Sequence, residues 1–136
     1  MTRQAMRVVA RAIIVNSEGK VLVAQRAQEW NNGRWTLVGG KSERDETPET
    51  AIVREVREEL KIPFVPTLFK KTHEREPEGG REPWVVFIFA GPLQGTPTRK
   101  EDEISELKFV GREDLDVLDF TFGHREILKE FFGTRT

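Results

Sequence analysis

The sequence predicts an α/β fold in which the strands of one sheet are mixed with two helices. Residues 7–15 (RVVARAIIV) and 20–26 (KVLVAQR) are β-branched runs separated by NSEG, the pattern of a β-hairpin. Two later stretches, one beginning near Pro48 and one over residues 122–132, carry apolar side chains at helical spacing. Strands mixed with two helices in 136 residues suit one α/β sandwich domain over residues 1–136.

The remaining elements follow from apolar runs and turn residues. Further strands are predicted at residues 35–38, 64–73, 84–90 and 104–110. Polar segments rich in glycine, proline or asparagine predict loops at residues 27–34, 74–83 and 92–102. A short helical turn is predicted at residues 112–116. The prolines at positions 63 and 66 separate the first helix from the strand that follows it.

The first helix has a defined start and one apolar side. Thr47 is a suitable N-cap, Pro48 suits the first helical position, and Glu49 lies at the positive end of the helix dipole. The apolar arc that we expect to pack on the core consists of Ile52, Val53, Val56 and Leu60. The helix therefore rests on the core and holds its charged side chains at the edge.

An acidic face lies beside this arc. Glu55, Glu58 and Glu59 fall at positions i, i+3 and i+4, so they share one side of the helix. Like charges at these separations destabilise a helix by about 0.2–0.5 kcal/mol per pair. A hard divalent cation would turn this repulsion into a binding site, because such ions prefer carboxylate oxygens. Without its context, however, the segment REVREEL is also typical of an ordinary solvated helix.

The context is a segment that resembles the signature of the Nudix hydrolases. That signature reads Gly-x5-Glu-x7-Arg-Glu-U-x-Glu-Glu-x-Gly-U, where U is a bulky aliphatic residue. The chain supplies these positions in register with Gly40, Glu46, Arg54, Glu55, Val56, Glu58, Glu59 and Ile62. Lys61 departs, because the family has its last glycine there. A lysine just past the helix, where a positive φ is expected, implies a strained or differently shaped helix end and removes no ligand.

The resemblance implies an α/β/α sandwich with a mixed sheet and a site for Mg²⁺ or Mn²⁺. By the same resemblance, Glu55, Glu58 and Glu59 are the metal ligands on the helix, and the carbonyl oxygen of Gly39 is a further ligand. Glu55 or a neighbouring glutamate is the expected base, since family members differ in which one acts. The motif positions Gly40, Glu46 and Arg54 are expected to shape the site. We expect Arg54 to point off the acidic face and to bind Glu46.

Two residues outside the signature are further candidates. Glu103, in an acidic run before a predicted strand, resembles a distal ligand or base of the family; a solvated charge run is the alternative. Arg26, at the end of the second strand, resembles a position that contacts substrate phosphate; a surface arginine is the alternative. His73 and His124 lack partners in ligand spacing and receive no role. The aromatic residues that could stack a base or anchor the core are Trp30, Trp35, Trp84 and Phe122.

The signature predicts which bond is cleaved and leaves the substrate open. We expect water to attack phosphorus in a nucleoside diphosphate linked to another moiety: a nucleoside triphosphate, an oxidised nucleotide or an ADP-ribose-type compound. The lack of tyrosine argues against the dinucleoside-polyphosphate branch, and Pro77 matches a mark of the ADP-ribose branch, although proline is common in such loops. The alternative function is a catalytically silent nucleotide-binding or regulatory domain, which should have lost one of the motif glutamates.

The overall composition excludes several classes of function. A net charge of −1 provides no field to attract a nucleic-acid polymer or an acidic membrane. The absence of cysteine excludes disulfides, thiolate metal sites and a cysteine nucleophile, and argues against the isopentenyl-diphosphate isomerase branch. No apolar run approaches the roughly 18 residues of a membrane span, and the N-terminus does not resemble a signal peptide. We therefore expect a cytoplasmic protein with a small nucleotide substrate, and we leave a homodimer open.

Overall fold

The computed structural model describes residues 7–27, 33–74 and 84–134 and contains one mixed seven-stranded sheet. The strands are β1 (Val8–Val15), β2 (Val21–Arg26), β3 (Trp35–Thr36), β4 (Val38–Lys41), β5 (Thr67–Glu74), β6 (Trp84–Pro92) and β7 (Ile104–Val110). The helices are α1 (Pro48–Leu60), a short 3₁₀ helix (Arg112–Asp114) and α2 (His124–Gly133). No helix in these described ranges is long and apolar enough to cross a membrane.

The sheet order is β3-β2-β1-β6-β5, with β4 also paired to β1 and β7 also paired to β2. Strands β1 and β6 run parallel, whereas the other strand pairs are antiparallel. Successive side chains of a strand point to opposite faces, so β1 serves two cores. Val9 and Ile13 pack in the cluster that contains the buried face of α2, while Ala10 and Ile14 pack in the cluster that contains that of α1. Helices α1 and α2 therefore cover opposite faces of the sheet, which confirms the predicted α/β/α sandwich with a mixed sheet.

The first two strands separate soon after their turn. They pair at Val15 and Val21. Beyond this point β4 pairs with β1, from Val9 to Ala12, and β3 pairs with β2. The segment from β3 to β4 therefore crosses the gap between the diverging strands, and the gap opens beside α1. This divergence positions the candidate site.

Most predicted elements are confirmed, and four differ. The predicted strand 35–38 is two strands, β3 and β4, and β4 continues through Gly39 and Gly40. The strand predicted at 64–73 begins at Thr67. The hairpin prediction holds at its turn, but the strands do not pair along their length. Helix α2 begins at His124, two residues later than predicted, because Phe122 has a positive φ of 53° that an α-helix does not accept. The predicted loops at 27–34 and 74–83 lie largely outside the described residues.

Candidate active site

A cleft of about 310 Å³ lies where β1 and β2 diverge. Its charged lining residues are Arg11, Arg26, Lys41, Glu55, Glu59 and Glu103, and both glycines of β4 contribute backbone. We refer to this cavity as the site cleft. It brings together six of the residues singled out in the sequence: Arg26, Gly39, Gly40, Glu55, Glu59 and Glu103. Arg54 lies beside it and contacts the lining residue Glu55, while Glu46 and Glu58 are hydrogen-bonded to Arg54.

The signature helix is held at both ends as expected. The Thr47 side chain accepts a hydrogen bond from the Thr50 backbone N–H at 3.1 Å, which caps the start. At the other end Lys61 is left-handed, with φ 61° and ψ 33°, and its N–H donates to the Arg57 carbonyl oxygen. A lysine in this conformation costs roughly 1–2 kcal/mol relative to a right-handed one. Lys61 thus has the positive φ that is expected just past the helix.

Arg54 connects the acidic residues of the signature. Its Nε donates to Glu46 Oε2 at 2.6 Å and its Nη2 to Glu46 Oε1 at 2.9 Å. Its Nη1 lies 3.0 Å from both Glu55 Oε1 and Glu58 Oε1. The hydrogen bond to Glu46, the largest cause, raises the pKa of Arg54, and the same bond lowers the pKa of Glu46. The predicted pair with Glu46 is present, but Arg54 does not point off the acidic face.

Glu55 is placed in the cleft by the absence of a side chain at Gly40. A Cβ atom at Gly40 would lie 2.7 Å from the Glu55 carboxylate carbon, so this approach requires glycine. Burial raises the pKa of Glu55, and the charge and hydrogen bond of Arg54 oppose this shift. Glu58 is more exposed, with 48% of its side chain accessible, and it lies beside the cleft on Arg54. The three helix carboxylates therefore have three different environments.

Glu59 is the most buried carboxylate of the cleft. It lies on the cleft beside Gly39, and its Oε2 atom is buried without a hydrogen-bond partner among the described residues. Burial, followed by the charge of Glu55, raises the pKa of Glu59 to about 8, although Arg11 acts in the opposite direction. A Cβ at Gly39 would lie 2.0 Å from the Ala10 carbonyl oxygen, and its φ is +152°, so this position also requires glycine. The backbone that lines the cleft beside Glu59 thus depends on the close contact of β4 with β1.

The structure places Glu103 and Arg26 on the same cleft. Glu103 is half-buried, and its Oε1 lies 3.3 Å from Lys100 Nζ. Arg26 is also half-buried at the end of β2, and burial, followed by the charge of Arg11, lowers its pKa. Both residues therefore lie on the cleft with Glu55 and Glu59 and are only partly exposed. The charge of Glu59 opposes the lowering of the Arg26 pKa, and the charge of Glu103 adds to the raised pKa of Glu59.

Sequence reasoning missed a buried polar network behind the cleft. Arg11 donates through Nη2 to Glu74 Oε1 at 3.0 Å and through Nε to Glu74 Oε2 at 3.3 Å. His124 Nε2 lies 2.8 Å from Glu74 Oε2, and His124 is fully buried. Burial would raise the pKa of Glu74, but the Arg11 charge and the His124 hydrogen bond hold it at about 2. The available signal was Arg11, a charge inside a β-branched run that had to be paired to be buried.

The aromatic candidates are distributed between core and cleft. Trp35 and Trp84 are buried in the core cluster on the α2 side, so they act as core anchors. Phe122 is half-buried in a left-handed conformation, with the Arg11 guanidinium 5.5 Å from its ring centroid. Trp30 lies outside the described residues. His73 lies on β5 and is exposed.

Comparison with known protein families matches residues 5–131, nearly the whole chain, to the NUDIX domain. The chain belongs to the Nudix family. The CTP pyrophosphohydrolase of Escherichia coli is 42% identical over 87 residues, which cover 61% of this chain and 64% of that relative. The ADP-ribose pyrophosphatase of Methanocaldococcus jannaschii is 30% identical over 121 residues, which cover 87% of this chain and 69% of that relative. This Nudix chain thus spans less than two thirds of the Escherichia coli relative.

The fold is likewise that of solved Nudix structures. The MutT protein from Methanosarcina mazei superposes with a TM-score of 0.82 and 23% sequence identity, covering 100% of this chain and 99% of that protein. At this identity the likeness shows the fold alone. Together with the family match, it confirms the resemblance drawn from the signature at Gly40–Ile62.

Nudix hydrolases generally use divalent metals, and the donors of this site suit such an ion. Glu59 offers a buried oxygen without a hydrogen-bond partner, beside the carboxylate of Glu55, and oxygen donors are those that hard divalent cations prefer. Within the described ranges, no group of three or more acidic or histidine side chains is already placed to hold a metal ion. Arg54 Nη1 is bonded to both Glu55 and Glu58, so a cation would compete with this guanidinium for their carboxylates.

Proposed function

We propose that this Nudix protein hydrolyses a phosphoanhydride bond in a nucleoside diphosphate linked to another moiety, by attack of water on phosphorus with the help of a divalent metal. The observation that carries the proposal is the pair Glu55 and Glu59, whose carboxylates are drawn into one cleft although their charges repel each other. Such an arrangement raises the free energy of the metal-free protein, and a cation between the carboxylates would remove this cost.

The proposed metal ligands are Glu55, Glu58 and Glu59, with the carbonyl oxygen of Gly39. Bound Mg²⁺ or Mn²⁺ would neutralise phosphate charge and polarise the bond to be broken. The chemistry of these donors supports either ion, since both prefer carboxylate and carbonyl oxygens. Arg54 and Glu46 have a supporting role, because they orient two of the ligands and the loop before α1.

The protein's own groups supply the rest of the reaction. Arg26 is proposed to bind a phosphate oxygen, because its guanidinium lies at the cleft and remains charged. Glu103 is proposed as a further ligand or as the acceptor of the proton of water, since it lies on the same cleft as Glu55 and Glu59. The base is one of the four glutamates Glu55, Glu58, Glu59 and Glu103.

Two substrate classes have support from relatives. The Escherichia coli relative, with the higher identity, acts on CTP by its name, which favours a nucleoside triphosphate. The Methanocaldococcus jannaschii relative, with the broader coverage of this chain, acts on ADP-ribose by its name. We propose nucleoside triphosphates, canonical or oxidised, as the first class and ADP-ribose-type compounds as the second. Both contain the diphosphate that the site requires.

A phosphate-release assay with Mg²⁺ and with Mn²⁺ tests this function. The panel contains canonical and oxidised nucleoside triphosphates, assayed with and without added pyrophosphatase to separate phosphate from pyrophosphate. It also contains ADP-ribose, sugar nucleotides and dinucleoside polyphosphates, assayed with added alkaline phosphatase, because their hydrolysis yields phosphomonoesters from which that enzyme releases phosphate. Metal-dependent turnover of one class that is lost in Glu59→Gln supports the proposal and names the substrate. A folded protein that binds Mn²⁺ and one of these nucleotides but cleaves none would support the silent binding domain instead.

A further inference from the structure

His124 is fully buried at the start of α2, and both of its ring nitrogens have partners. The Leu37 backbone N–H donates to Nδ1 at 3.0 Å, and Nε2 lies 2.8 Å from Glu74 Oε2. A backbone N–H can only donate, so Nδ1 carries no proton and Nε2–H donates to the Glu74 carboxylate. The contacts therefore select one neutral tautomer of His124.

Leu37 is held on its other side as well. Arg11 Nη1 donates to the Leu37 carbonyl oxygen at 3.4 Å. The Thr36 hydroxyl lies 3.1 Å from this oxygen and 3.1 Å from His124 Nδ1, and its one proton can be donated to either of these acceptors. Arg11 is in turn fixed by its two hydrogen bonds to Glu74. The backbone N–H and carbonyl groups of Leu37 are thus both hydrogen-bonded to buried side chains, to His124 of α2 and to Arg11 of β1.

Leu37 joins β3 to β4 and precedes Gly39 by two residues. Gly39 lines the site cleft together with Glu59, and it pairs with Arg11 of β1. Only Val38 separates Leu37, which contacts His124, from Gly39, so a displacement of Leu37 also moves Gly39. Buried groups with satisfied hydrogen bonds hold such a geometry rigidly.

We propose that His124 is a positioning residue for the active site: by accepting the Leu37 N–H it fixes the backbone that presents Gly39 to the site cleft. Glu74 and Arg11 keep His124 in the required tautomer. His124 contacts no part of the proposed metal or substrate and acts through the backbone. The inference rests on the proposed function for its consequence in turnover, but its effect on metal affinity can be measured without any substrate.

Two substitutions separate the two hydrogen bonds of the ring. His124→Asn places an amide oxygen near the position of Nδ1, which keeps an acceptor for Leu37 and loses the donor to Glu74. His124→Gln reaches the position of Nε2, which keeps the donor and loses the acceptor. Leu128→Ala is the matched control, because Leu128 is fully buried one turn further along α2 in the cluster that packs on the same face of the sheet. All three variants are expected to lower the melting temperature.

The measurements are Mn²⁺ affinity by electron paramagnetic resonance and turnover on the best substrate, both well below each melting temperature. We expect His124→Gln to weaken Mn²⁺ binding at least about tenfold and to lower kcat, since the loss of a group that orients metal ligands typically costs 10–100-fold in affinity or activity. His124→Asn and Leu128→Ala should stay within about threefold of the unmodified protein. Equal Mn²⁺ affinity in His124→Gln and His124→Asn, or an equal loss in Leu128→Ala, overturns the proposal.

A second variant covers the case in which His124→Gln does not fold. Glu74→Gln keeps the shape of the Glu74 side chain but sets one of its amide hydrogens against Arg11 or His124, which disturbs the network. Weakened Mn²⁺ binding in this variant supports the proposal, and unchanged affinity contradicts it. If the unmodified protein cleaves no nucleotide while Mn²⁺ affinity still follows the expected order, the proposed hydrolysis fails and the positioning role stands.

Discussion

Arg54 binds Glu46 with two parallel hydrogen bonds, at 2.6 and 2.9 Å, and so joins the loop before α1 to the middle of that helix. The same guanidinium donates hydrogen bonds to Glu55 and Glu58, so one side chain orients three carboxylates. A guanidinium fork can do this because its five N–H groups are held in one plane, whereas an ammonium group is a single point of charge. The first prediction follows from this difference.

Arg54→Lys should lower turnover about tenfold or more, because misplaced ligands reduce the rate steeply. The free energy of unfolding should fall by only about 1 kcal/mol, since the pair with Glu46 is partly exposed. Steady-state kinetics and urea unfolding measure the two effects. Arg57→Lys, at an exposed position of the same helix, is the control and should change neither. Full activity in Arg54→Lys would contradict the organising role of Arg54.

Glu59→Gln should lower turnover by a factor of about 100 or more, which is roughly the loss expected for a catalytic group. The same substitution should stabilise the metal-free protein at pH 8. The pKa of Glu59 is about 8 in the folded protein and near 4.5 when unfolded, so its stabilising contribution is full below pH 4.5 and is lost as the pH rises to 8. Glutamine resembles the neutral acid and avoids this loss, which is on the order of 2 kcal/mol after relaxation of the surroundings.

Thermal unfolding with a chelator present measures this gain, and Glu106→Gln, an exposed position on β7, is the matched control. The gain should disappear well below pH 4.5, where the unmodified side chain is neutral in both the folded and the unfolded state. A destabilised Glu59→Gln at pH 8 would show that the carboxylate is charged and satisfied in the metal-free protein.

His124 should make stability fall as the pH decreases below about 6.5. Burial lowers the pKa of His124, so only the unfolded chain takes up this proton between the unfolded and folded values. Glu74, whose pKa is about 2, should add a further loss as the pH falls from about 4.5 towards 2. Each group contributes at most about 1.4 kcal/mol per pH unit.

Glu59 has the opposite pH dependence, so the comparison is best made in a Glu59→Gln background. Urea unfolding from pH 8 to pH 5 should show a smaller slope after His124→Asn than before it. Equal slopes with and without the imidazole would mean that His124 titrates alike in the folded and unfolded chains.

Lys61→Gly should raise the free energy of unfolding by about 0.5–1 kcal/mol. The left-handed conformation at the end of α1 is strained for a residue with a Cβ atom and is not strained for glycine. Glycine also increases the conformational entropy of the unfolded chain, which offsets part of the gain in stability. Lys61→Ala keeps the Cβ and serves as the control for the lost charge. A clear drop in the melting temperature of Lys61→Gly alone would contradict the left-handed cap.

The two glycines of β4 should respond differently to alanine. Gly39→Ala should destabilise the fold by about 3 kcal/mol or more, because the added Cβ meets the rigid backbone of β1. Gly40→Ala meets the end of the Glu55 side chain, which can move, so it should fold and lose turnover instead. Unfolding curves and kinetics of both variants test the distinction; the reverse pattern would contradict it.

The sequence by itself determined the family, the sandwich of helices around a mixed sheet, and the helix that carries Glu55, Glu58 and Glu59. These features are local, because a spacing of three and four residues places side chains on one face of a helix whatever surrounds it. The left-handed conformation expected at Lys61 is local in the same sense. The role of Gly40 also came from the signature, although its physical cause did not.

Only the tertiary structure decided which charges are buried and what they contact. Glu58 and Glu59 are neighbours in sequence, yet Glu59 has a buried carboxylate oxygen and Glu58 is exposed to solvent. The difference arises because β4, in the gap between β1 and β2, covers only one side of α1. His124 has no partner within helical or strand spacing, and its contacts with Leu37 and Glu74 span 87 and 50 residues. Burial and long-range hydrogen bonds depend on how the chain packs, and no local pattern records them.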